Sequence, residues 1–327
     1  MKVMFATYPV AFHTPGGGEI QLFAYERYLP SLGVEVVRFN PWEPNFYDCD
    51  LVHFFSCVGG SVHFCNFVKK LGIPLVISSS LWITEETLAN YPAPEIIAQL
   101  GLADRIVTNS DIESDTLSRV LGLNKARFST VYNGIDEYFF KREDPSLFRN
   151  HENIQARFVL NVGNVEPRKN QLTLVRAMKS FPNFKLVLIG HSRDPAYTEV
   201  CINEGGDQVI YLGPYRHDSE LLRSAYSACE LFCLPSTLET PGLAALEALA
   251  VGCPLCITQI GATREYFGGF AEYLDPADVS SIVSALQATL RRNHESRAGA
   301  LACAQNFLWG EVVKKLVAVY QDALRRE

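Results

Sequence analysis

The sequence lacks long hydrophobic runs and an excess of basic residues, and each absence excludes a class of protein. No stretch approaches the ~18 consecutive apolar residues of a transmembrane helix. Lysine and arginine number 29 against 36 aspartates and glutamates, which gives a net charge of −7 at pH 7. Because nucleic acids and anionic lipids attract basic surfaces, this balance disfavours both partners. We therefore expect no nucleic-acid partner and at most peripheral membrane contact.

The cysteines do not form the pattern of a disulfide-stapled or zinc-binding protein. There are nine of them, scattered along the chain, and the N-terminal residues lack the apolar core and cleavage site of a signal peptide. These features predict a cytoplasmic protein with reduced thiols. Cys253 and Cys256 form a C-x-x-C pair, but no second pair or histidine pair stands at zinc-ligand spacing. We expect both thiols to be buried in a core.

Short apolar segments alternate with helical patterns along the 327 residues, about twice the length of a typical domain. Strands that are apolar along their whole length predict parallel sheets covered by helices on both faces. The predicted strands are 2–7, 34–39, 51–55, 74–79 and 105–108 in the first half, and 158–162, 185–189, 209–212, 231–234 and 254–258 in the second.

These two sets of strands predict two domains, residues 1–150 and 151–306, joined by a polar stretch at 141–152. An amphipathic helix is predicted over residues 307–324. Ligands of doubly wound sheets bind in the crevice at the carboxyl ends of the strands. We therefore predict an α/β protein in which two doubly wound, Rossmann-like domains face each other across a cleft.

The most informative segment is PSTLETPGLAALEALA at 235–250. Glu239 and Glu247 stand eight residues apart around a predicted helix start at Gly242. Eight residues rise ~12 Å along a helix, so the carboxylates can address two ends of one elongated ligand. The N–H groups of Gly242 and Leu243 suit a phosphate between them. This order fits the hydroxyls, diphosphate and ribose of a nucleotide sugar, although two solvated glutamates on an ordinary helix have the same spacing.

Two glycine-containing turns follow predicted strands. In NVGNVEPRKN at 161–170, Gly163 allows a tight turn, and Arg168 and Lys169 are cations that can reach a diphosphate. The segment PGGG at 15–18 allows close backbone approach to an anion or sugar. It is not the G-x-G-x-x-G pattern of dinucleotide-binding proteins, which weakens that interpretation.

Together these segments resemble the retaining glycosyltransferases of family 4 (glycosyltransferase group 1), which have the GT-B architecture. The resemblance is strongest over about residues 157–327, and the last segment, 307–327, resembles the family's final helix, which crosses back toward the N-terminal domain. The matching motifs, besides the segments above, are GHSRDP at 190–195, YLGPYRHDSEL at 211–221, IGATREYF at 260–267, GGGE at 16–19, TNSD at 108–111 and YNGID at 132–136.

The resemblance implies a role for each matching residue of the donor site. Glu239 would bind hydroxyls of the donor sugar, Glu247 would bind the ribose, and Lys169 occupies the position of the diphosphate-binding lysine. The implied backbone contacts to the phosphates are the amides of Gly242 and Leu243 and the loop formed by Gly16 and Gly17.

The sequence departs from the family pattern at three places. Asn164 stands where many members have arginine, and Arg168 is the candidate replacement. Ser80 stands where many members have a histidine that contacts the donor sugar or assists the attack; His13 is a candidate substitute, although an ordinary surface histidine is the favoured explanation. Pro241 replaces a phenylalanine near the donor site.

We therefore predict a retaining glycosyltransferase that needs neither metal nor cofactor. It would move a hexose-type sugar from a nucleotide-diphosphate donor, UDP favoured and GDP possible, to a glycan, lipid-linked or small-molecule acceptor. The acidic triplet Asp48-Cys49-Asp50 matches a metal-binding D-x-D, but an acidic turn is its ordinary explanation, and His53 is expected to be hydrogen-bonded in the core. Two alternatives stay open: a nucleotide-sugar 2-epimerase of the same fold, and a non-catalytic or weakly active nucleotide-sugar-binding partner subunit.

Overall fold

The computed structural model describes residues 1–13, 16–291 and 297–325. The chain forms two compact units: residues 1–134 with the C-terminal segment from Phe307, and residues 135–306. Each unit contains a six-stranded parallel sheet flanked by helices, which confirms the predicted doubly wound α/β class. Pro15 of the glycine-rich turn and the last two residues of the predicted 307–327 segment lie outside the described residues.

In the first unit the strands lie in the order β2-β1-β3-β4-β5-β6, so the order reverses between β1 and β3. Neighbouring residues of β1 enter different cores: Val3 and Phe5 pack on one face of the sheet, Met4 and Ala6 on the other. Burial on both faces explains why the strand is apolar throughout. The elements are β1 Lys2–Thr7, α1 Gly17–Tyr28, β2 Glu35–Arg38, β3 Leu51–Phe55, α2 Val62–Lys70, β4 Leu75–Ser78, α3 Ala93–Leu102, β5 Arg105–Thr108, α4 Asp111–Leu121 and β6 Phe128–Thr130.

In the second unit the order is β12-β11-β10-β7-β8-β9, which is the order of a Rossmann sheet and reverses between β7 and β10. Cys253 and Cys256 are buried here, as predicted. The elements are α5 Pro145–His151, β7 Arg157–Val162, α6 Gln171–Met178, β8 Phe184–Ile189, α7 Pro195–Gly205, β9 Val209–Tyr211, α8 Glu220–Ala228, β10 Leu231–Leu234, α9 Leu243–Val251, β11 Leu255–Thr258, α10 Thr263–Phe267, β12 Ala271–Leu274, α11 Val279–Arg291 and α12 Arg297–Gln305.

The first unit ends at Gly134 rather than at residue 150. The polar segment that follows belongs to the second unit because its charges are paired and its aromatic residues are buried. Glu143 accepts from the buried Arg223 at 3.0 Å, and the Phe148 N–H donates to Ser224 Oγ at 2.9 Å. Phe148 itself is fully buried.

The last helix, α13 Trp309–Leu324, belongs to the first unit. Trp309 and Tyr320 lie in the same core cluster as Val3. The Tyr320 hydroxyl lies 2.7 Å from Nδ1 of His53, whose Nε2 lies 2.8 Å from Ser78 Oγ. His53 is therefore a hydrogen-bonded core residue, as predicted.

Candidate functional site

The second sheet reverses its strand order between β7 and β10, and the loops after these two strands carry the predicted donor residues. Ligands of doubly wound sheets bind at such a reversal, outside the carboxyl ends of the strands. The loop after β7 leads to Lys169, and the loop after β10 leads to Glu239. A backbone hydrogen bond from Thr237 N to Arg168 O, 2.9 Å long, joins the two loops.

Lys169 and Glu239 form an ion pair at the point where the two loops meet. Lys169 Nζ lies 2.5 Å from Glu239 Oε1, and their side chains are 14% and 6% exposed. Burial alone would raise the pKa of Glu239, but Lys169 and then Arg168 outweigh it and hold that pKa below its ordinary value. The sequence-predicted cation and carboxylate are thus brought together, with Glu239 ionised at neutral pH.

Two glycines leave room for the Glu239 carboxylate and its backbone. Gly261 has φ +100° and pairs in a short bridge with Glu239; a Cβ there would lie 2.1 Å from the Glu239 carbonyl oxygen. Gly242 has φ +88°, and a Cβ there would lie 2.6 Å from Leu234 Cδ2 and 3.3 Å from Glu239 Oε2. Only glycine fits both positions without strain.

The helix that follows begins one residue later than predicted. Gly242 caps α9, which starts at Leu243, and Pro241 precedes the cap. The first N–H groups of a helix have no acceptor within the helix. The amides of Gly242 and Leu243 therefore stand at the N-terminus of α9, as predicted, three and four residues after Glu239.

Glu247 is buried on α9, and both of its carboxylate oxygens are engaged. The Tyr226 hydroxyl donates to Oε2 at 2.7 Å, and His217 Nε2 lies 2.8 Å from Oε1. His217 Nδ1 lies 2.9 Å from the Tyr138 hydroxyl, which donates to Asp136 Oδ2 at 3.0 Å. The imidazole of His217 therefore links the Glu247 carboxylate to the Tyr138 hydroxyl.

The sequence interpretation missed Tyr226, His217 and Tyr138. Burial, followed by the nearby Glu247 carboxylate, raises the pKa of Tyr226 well above its usual value, so the phenol keeps its proton and donates. His217 lies within the YRHD part of a motif that the sequence offered without a role. Their partnership with Glu247 depends on the packing of α8 and α9, which the spacing of residues along the chain does not show.

Arg168 and Asn164, unlike Lys169, make their hydrogen bonds to groups other than the Glu239 carboxylate. Arg168 is half exposed, and its guanidinium donates to Glu166 Oε1 at 3.2 Å and to Leu238 O at 3.4 Å. Its positive charge helps to lower the pKa of Glu239. The backbone carbonyl oxygen of Asn164 accepts a hydrogen bond from the buried Gln171 side-chain amide at 2.9 Å, which fixes the turn.

The other predicted residues lie in the first unit. Gly16 caps α1 and Gly17 is its first residue; the Gly16 N–H already donates to Glu19 Oε2 at 2.7 Å. His13 is exposed in a short helical turn before them. Ser80 follows β4 with φ +44°, and it lines a cavity of about 240 Å³ at the carboxyl ends of β1, β3 and β4.

The acidic triplet has a structural role. Asp50 accepts a hydrogen bond from the Lys2 N–H at 2.7 Å, which ties it to the start of β1. Within residues 1–13, 16–291 and 297–325, no three His, Cys, Asp or Glu side chains are grouped so that they could hold a metal ion. Among the same residues, no helix combines the length and apolar composition needed to cross a membrane.

Comparisons with known proteins show the family of the chain. The family model described as "Glycosyl transferases group 1" matches residues 144–300. The chain is 30% identical to D-inositol 3-phosphate glycosyltransferase 1 of Catenulispora acidiphila, over 96% of this chain and 81% of that protein. It is 29% identical to the D-inositol 3-phosphate glycosyltransferase of Acidothermus cellulolyticus, over 86% and 68%.

Solved structures show the same fold. A sucrose-phosphate synthase from Thermosynechococcus elongatus superposes with a TM-score of 0.81 at 19% identity, covering 98% of each chain. Anabaena HepE in complex with UDP superposes with a TM-score of 0.79 at 18% identity, covering 98% of this chain and 100% of HepE. The predicted GT-B architecture of two Rossmann-like domains is confirmed. The chain belongs to the group 1 glycosyltransferases.

Proposed function

We propose that this chain is a cytoplasmic, retaining, metal-independent glycosyltransferase that moves a hexose-type sugar from a nucleotide-diphosphate donor to an acceptor hydroxyl. The observation that carries the donor class is the buried Lys169–Glu239 pair beside the start of α9. A cation, an ionised carboxylate and helix amides in one place match a diphosphate attached to a sugar.

Lys169 meets the diphosphate in this proposal. Its ammonium has three donors, so the bond to Glu239 leaves two for phosphate oxygens. With the amides of Gly242 and Leu243, it stabilises the negative charge that develops on the leaving nucleoside diphosphate. Arg168 adds a second, more exposed positive charge. This charge set can do the work that a metal does elsewhere, which is why we propose that none is needed.

The two glutamates recognise the neutral parts of the donor. A carboxylate has about four lone-pair sites, so Glu239 can accept from sugar hydroxyls while Lys169 holds Oε1. Glu247 can accept from ribose hydroxyls while Tyr226 and His217 fix its orientation. Both glutamates are held in place before the donor arrives, which lowers the cost of ordering them on binding.

The transfer itself needs no protein nucleophile. The bond from the anomeric carbon to the diphosphate oxygen breaks, and the acceptor oxygen forms a bond to the same carbon on the same face. The acceptor's proton passes to the departing phosphate oxygen. Configuration at the anomeric carbon is thereby retained, and the protein contributes position and charge.

Support for UDP as the nucleotide comes from the structural neighbours, since HepE has been solved with UDP and with UDP-glucose. The relatives named above act, by their names, on D-inositol 3-phosphate. For this chain the acceptor class comprises glycans, lipid-linked sugars and small molecules that offer a hydroxyl.

A thermal-shift panel with UDP, GDP, ADP and dTDP, each with and without EDTA, tests the donor assignment. A nucleotide at 100 times its dissociation constant stabilises the native protein by ~2.7 kcal/mol. We expect a shift with UDP, unchanged by EDTA and lost in Glu247→Ala. Loss of the shift in EDTA would contradict metal independence.

The departures at Ser80 and Asn164 favour a second candidate, a partner subunit that binds the donor but does not transfer it. Release of UDP and formation of product by the isolated chain decide between the two. A nucleotide shift without product from any acceptor would favour the partner subunit. The absence of any nucleotide shift would contradict both. Conversion of a UDP-sugar to its C2 epimer would favour the epimerase, against which the Glu-x7-Glu segment argues.

A further inference from the structure

The first sheet also has a reversal of strand order, between β1 and β3, and a cavity lies there. Its volume of about 240 Å³ is below the ~300 Å³ at which pockets for drug-sized ligands begin. The cavity therefore has room for about one ring. It is lined by Thr7, Tyr8, Gly18, Glu19, Leu22, Phe55, Ser56, Val58, Ser79, Ser80 and Leu81.

The lining combines hydroxyl groups and one carboxylate with apolar side chains. Glu19 supplies the carboxylate, and Phe55 and Leu22 supply apolar surface. Hydroxyl-rich rings present both polar edges and apolar faces, so a mixed lining of this kind can contact both. Of the described residues that line the cavity, none is a lysine, arginine or histidine.

Two acidic side chains are associated with this cavity, Glu19 at its wall and Glu113 behind it. Glu19 Oε2 accepts from the Gly16 N–H at 2.7 Å, so the positive N-terminus of α1 is already met by the chain's own carboxylate. Behind the cavity, the buried Glu113 carboxylate accepts from Ser79 Oγ at 2.6 Å and from the Asn109 N–H at 2.8 Å. A phosphate in the cavity would be repelled by the Glu19 carboxylate at its wall.

Glu113 also positions Ser80. Its carboxylate binds Ser79 on one side of Ser80 and accepts from the Leu81 N–H on the other side at 3.3 Å. Ser80 is held with φ +44°, and Ser56, across the same cavity, has φ +108°. Non-glycine residues in such conformations persist only where their surroundings hold them, and they cluster at ligand sites. Ser80 is exposed, with its side chain at the wall of the cavity.

We propose that this cavity receives a neutral, polyhydroxylated ring of the acceptor and that Glu19 and Ser80 select against a phosphorylated ring. The inference rests on the proposed function, since it assigns the acceptor of that reaction. It sets this chain apart from the relatives named for inositol 3-phosphate. Glu19 accepts hydrogen bonds from hydroxyls of the ring. Ser80 is small and uncharged, so it supplies no positive charge that could bind a phosphate.

The test measures binding of matched rings by ligand-observed NMR on the full chain, with and without UDP. The pairs are myo-inositol with inositol 3-phosphate, and glucose with glucose 6-phosphate. We expect the neutral member of at least one pair to bind ~10-fold or more tightly than its phosphate ester, because a like charge this close costs at least that factor. Equal or tighter binding of both esters, or no binding of either neutral ring, would overturn the inference.

Two substitutions make the test specific. Glu19→Gln keeps an acceptor for the Gly16 N–H but removes the charge, and it should reduce the preference for the neutral ring ~10-fold. Ser80→Lys supplies a cation and should shift the preference further toward the ester. Glu26→Gln, on the same helix and paired with Arg38 outside the cavity, is the matched control and should leave the preference unchanged.

The outcomes separate this inference from the proposed function. Release of UDP from a UDP-sugar together with a preference for phosphorylated rings would refute the acceptor inference but not the proposed function. A chain that shows no nucleotide shift sinks the donor assignment, whatever rings it binds. An unchanged ring preference in both Glu19→Gln and Ser80→Lys, with melting temperatures near that of the parent chain, would also refute the selection by these two residues.

Discussion

The two units use the same architecture for opposite chemistry. Both carry a proposed site where the strand order reverses, between β1 and β3 in one and between β7 and β10 in the other. In the second unit it contains the ion pair of Lys169 with Glu239 and the hydrogen-bonded Glu247 carboxylate, which His217 contacts. In the first unit it is built from hydroxyls and one half-buried carboxylate, Glu19.

In the proposed sites, the sheet order sets the position of the crevice and the side chains around it set the ligand chemistry. The reversal opens a crevice in either unit because adjacent connections leave on opposite faces of the sheet. The residues that line the crevice come from strand ends, helices and loops, and two of them, Leu22 and Phe55, also belong to the core of the first unit. Substitutions in one unit at a time, each with its own readout of turnover, stability or UDP affinity, test this comparison.

Lys169→Ala should have the largest effect. Turnover should fall ~100-fold or more, the scale for losing one electrostatic stabiliser of the transition state, and Glu239→Ala should lower it similarly. Steady-state UDP release measures both. Lys179→Ala, which removes an exposed lysine at the C-terminal end of α6 that is paired with Glu204, is the control. Near-normal turnover in both site variants would remove this ion pair from the mechanism.

Acid should weaken the first unit before the second. Burial lowers the pKa of His53 from 6.5 to about 3, so below pH 6.5 the unfolded state binds a proton that the folded state does not. The free energy of unfolding then falls by ~1.4 kcal/mol per pH unit. Glu239, whose pKa lies below 4.5, contributes stability that is lost only under more acidic conditions.

Tryptophan fluorescence can follow this difference, because Trp42, Trp82 and Trp309 are the three tryptophans of the chain and all belong to the first unit. Between pH 6.5 and 4.5 the fluorescence-detected transition should move to lower temperature, and His53→Gln should flatten that dependence. His63→Gln, at an exposed position of the same unit, should not. A transition of the parent chain that does not move with pH would contradict the role of His53.

A smaller effect is expected from the groups that hold Glu247. Tyr226→Phe removes the hydroxyl that donates to its carboxylate, so UDP should bind ~10-fold more weakly, the scale of a hydrogen bond to a charged group. Thermal shift against UDP concentration measures this. Tyr273→Phe removes a hydroxyl that donates to Gly268 O on the surface and should change nothing. Equal UDP affinities of Tyr226→Phe and the parent chain would mean that UDP binding does not depend on the Tyr226–Glu247 hydrogen bond.

Much of the fold could be predicted because most strands are buried on both faces. Continuous apolar runs mark β1, β3 and β10 so clearly that their predicted bounds match. The strands that were not predicted, β6 Phe128–Thr130 and β12 Ala271–Leu274, lie at the sheet edges and are only partly buried. An edge strand has one neighbour, so its sequence has less reason to be apolar.

The site was predictable in its residue types but not in its contacts. Glu239 and Lys169 could be chosen as a carboxylate and a cation. Their separation of 2.5 Å, however, depends on the contact between two loops that are 70 residues apart in the sequence. The engagement of the Gly16 amide by Glu19 follows from a local capping pattern that the sequence does contain. Tyr226 and His217 could not be assigned because their roles depend on how α8 packs against α9.

The position of α13 has a consequence for synthesis on the ribosome. Trp309, Leu316 and Tyr320 complete the core of the first unit, but they are translated after the whole second unit. Domains usually fold as they emerge, N-terminal first. Here the unit that is made first must wait for the final helix, so its exposed core needs protection while the second unit folds ahead of it.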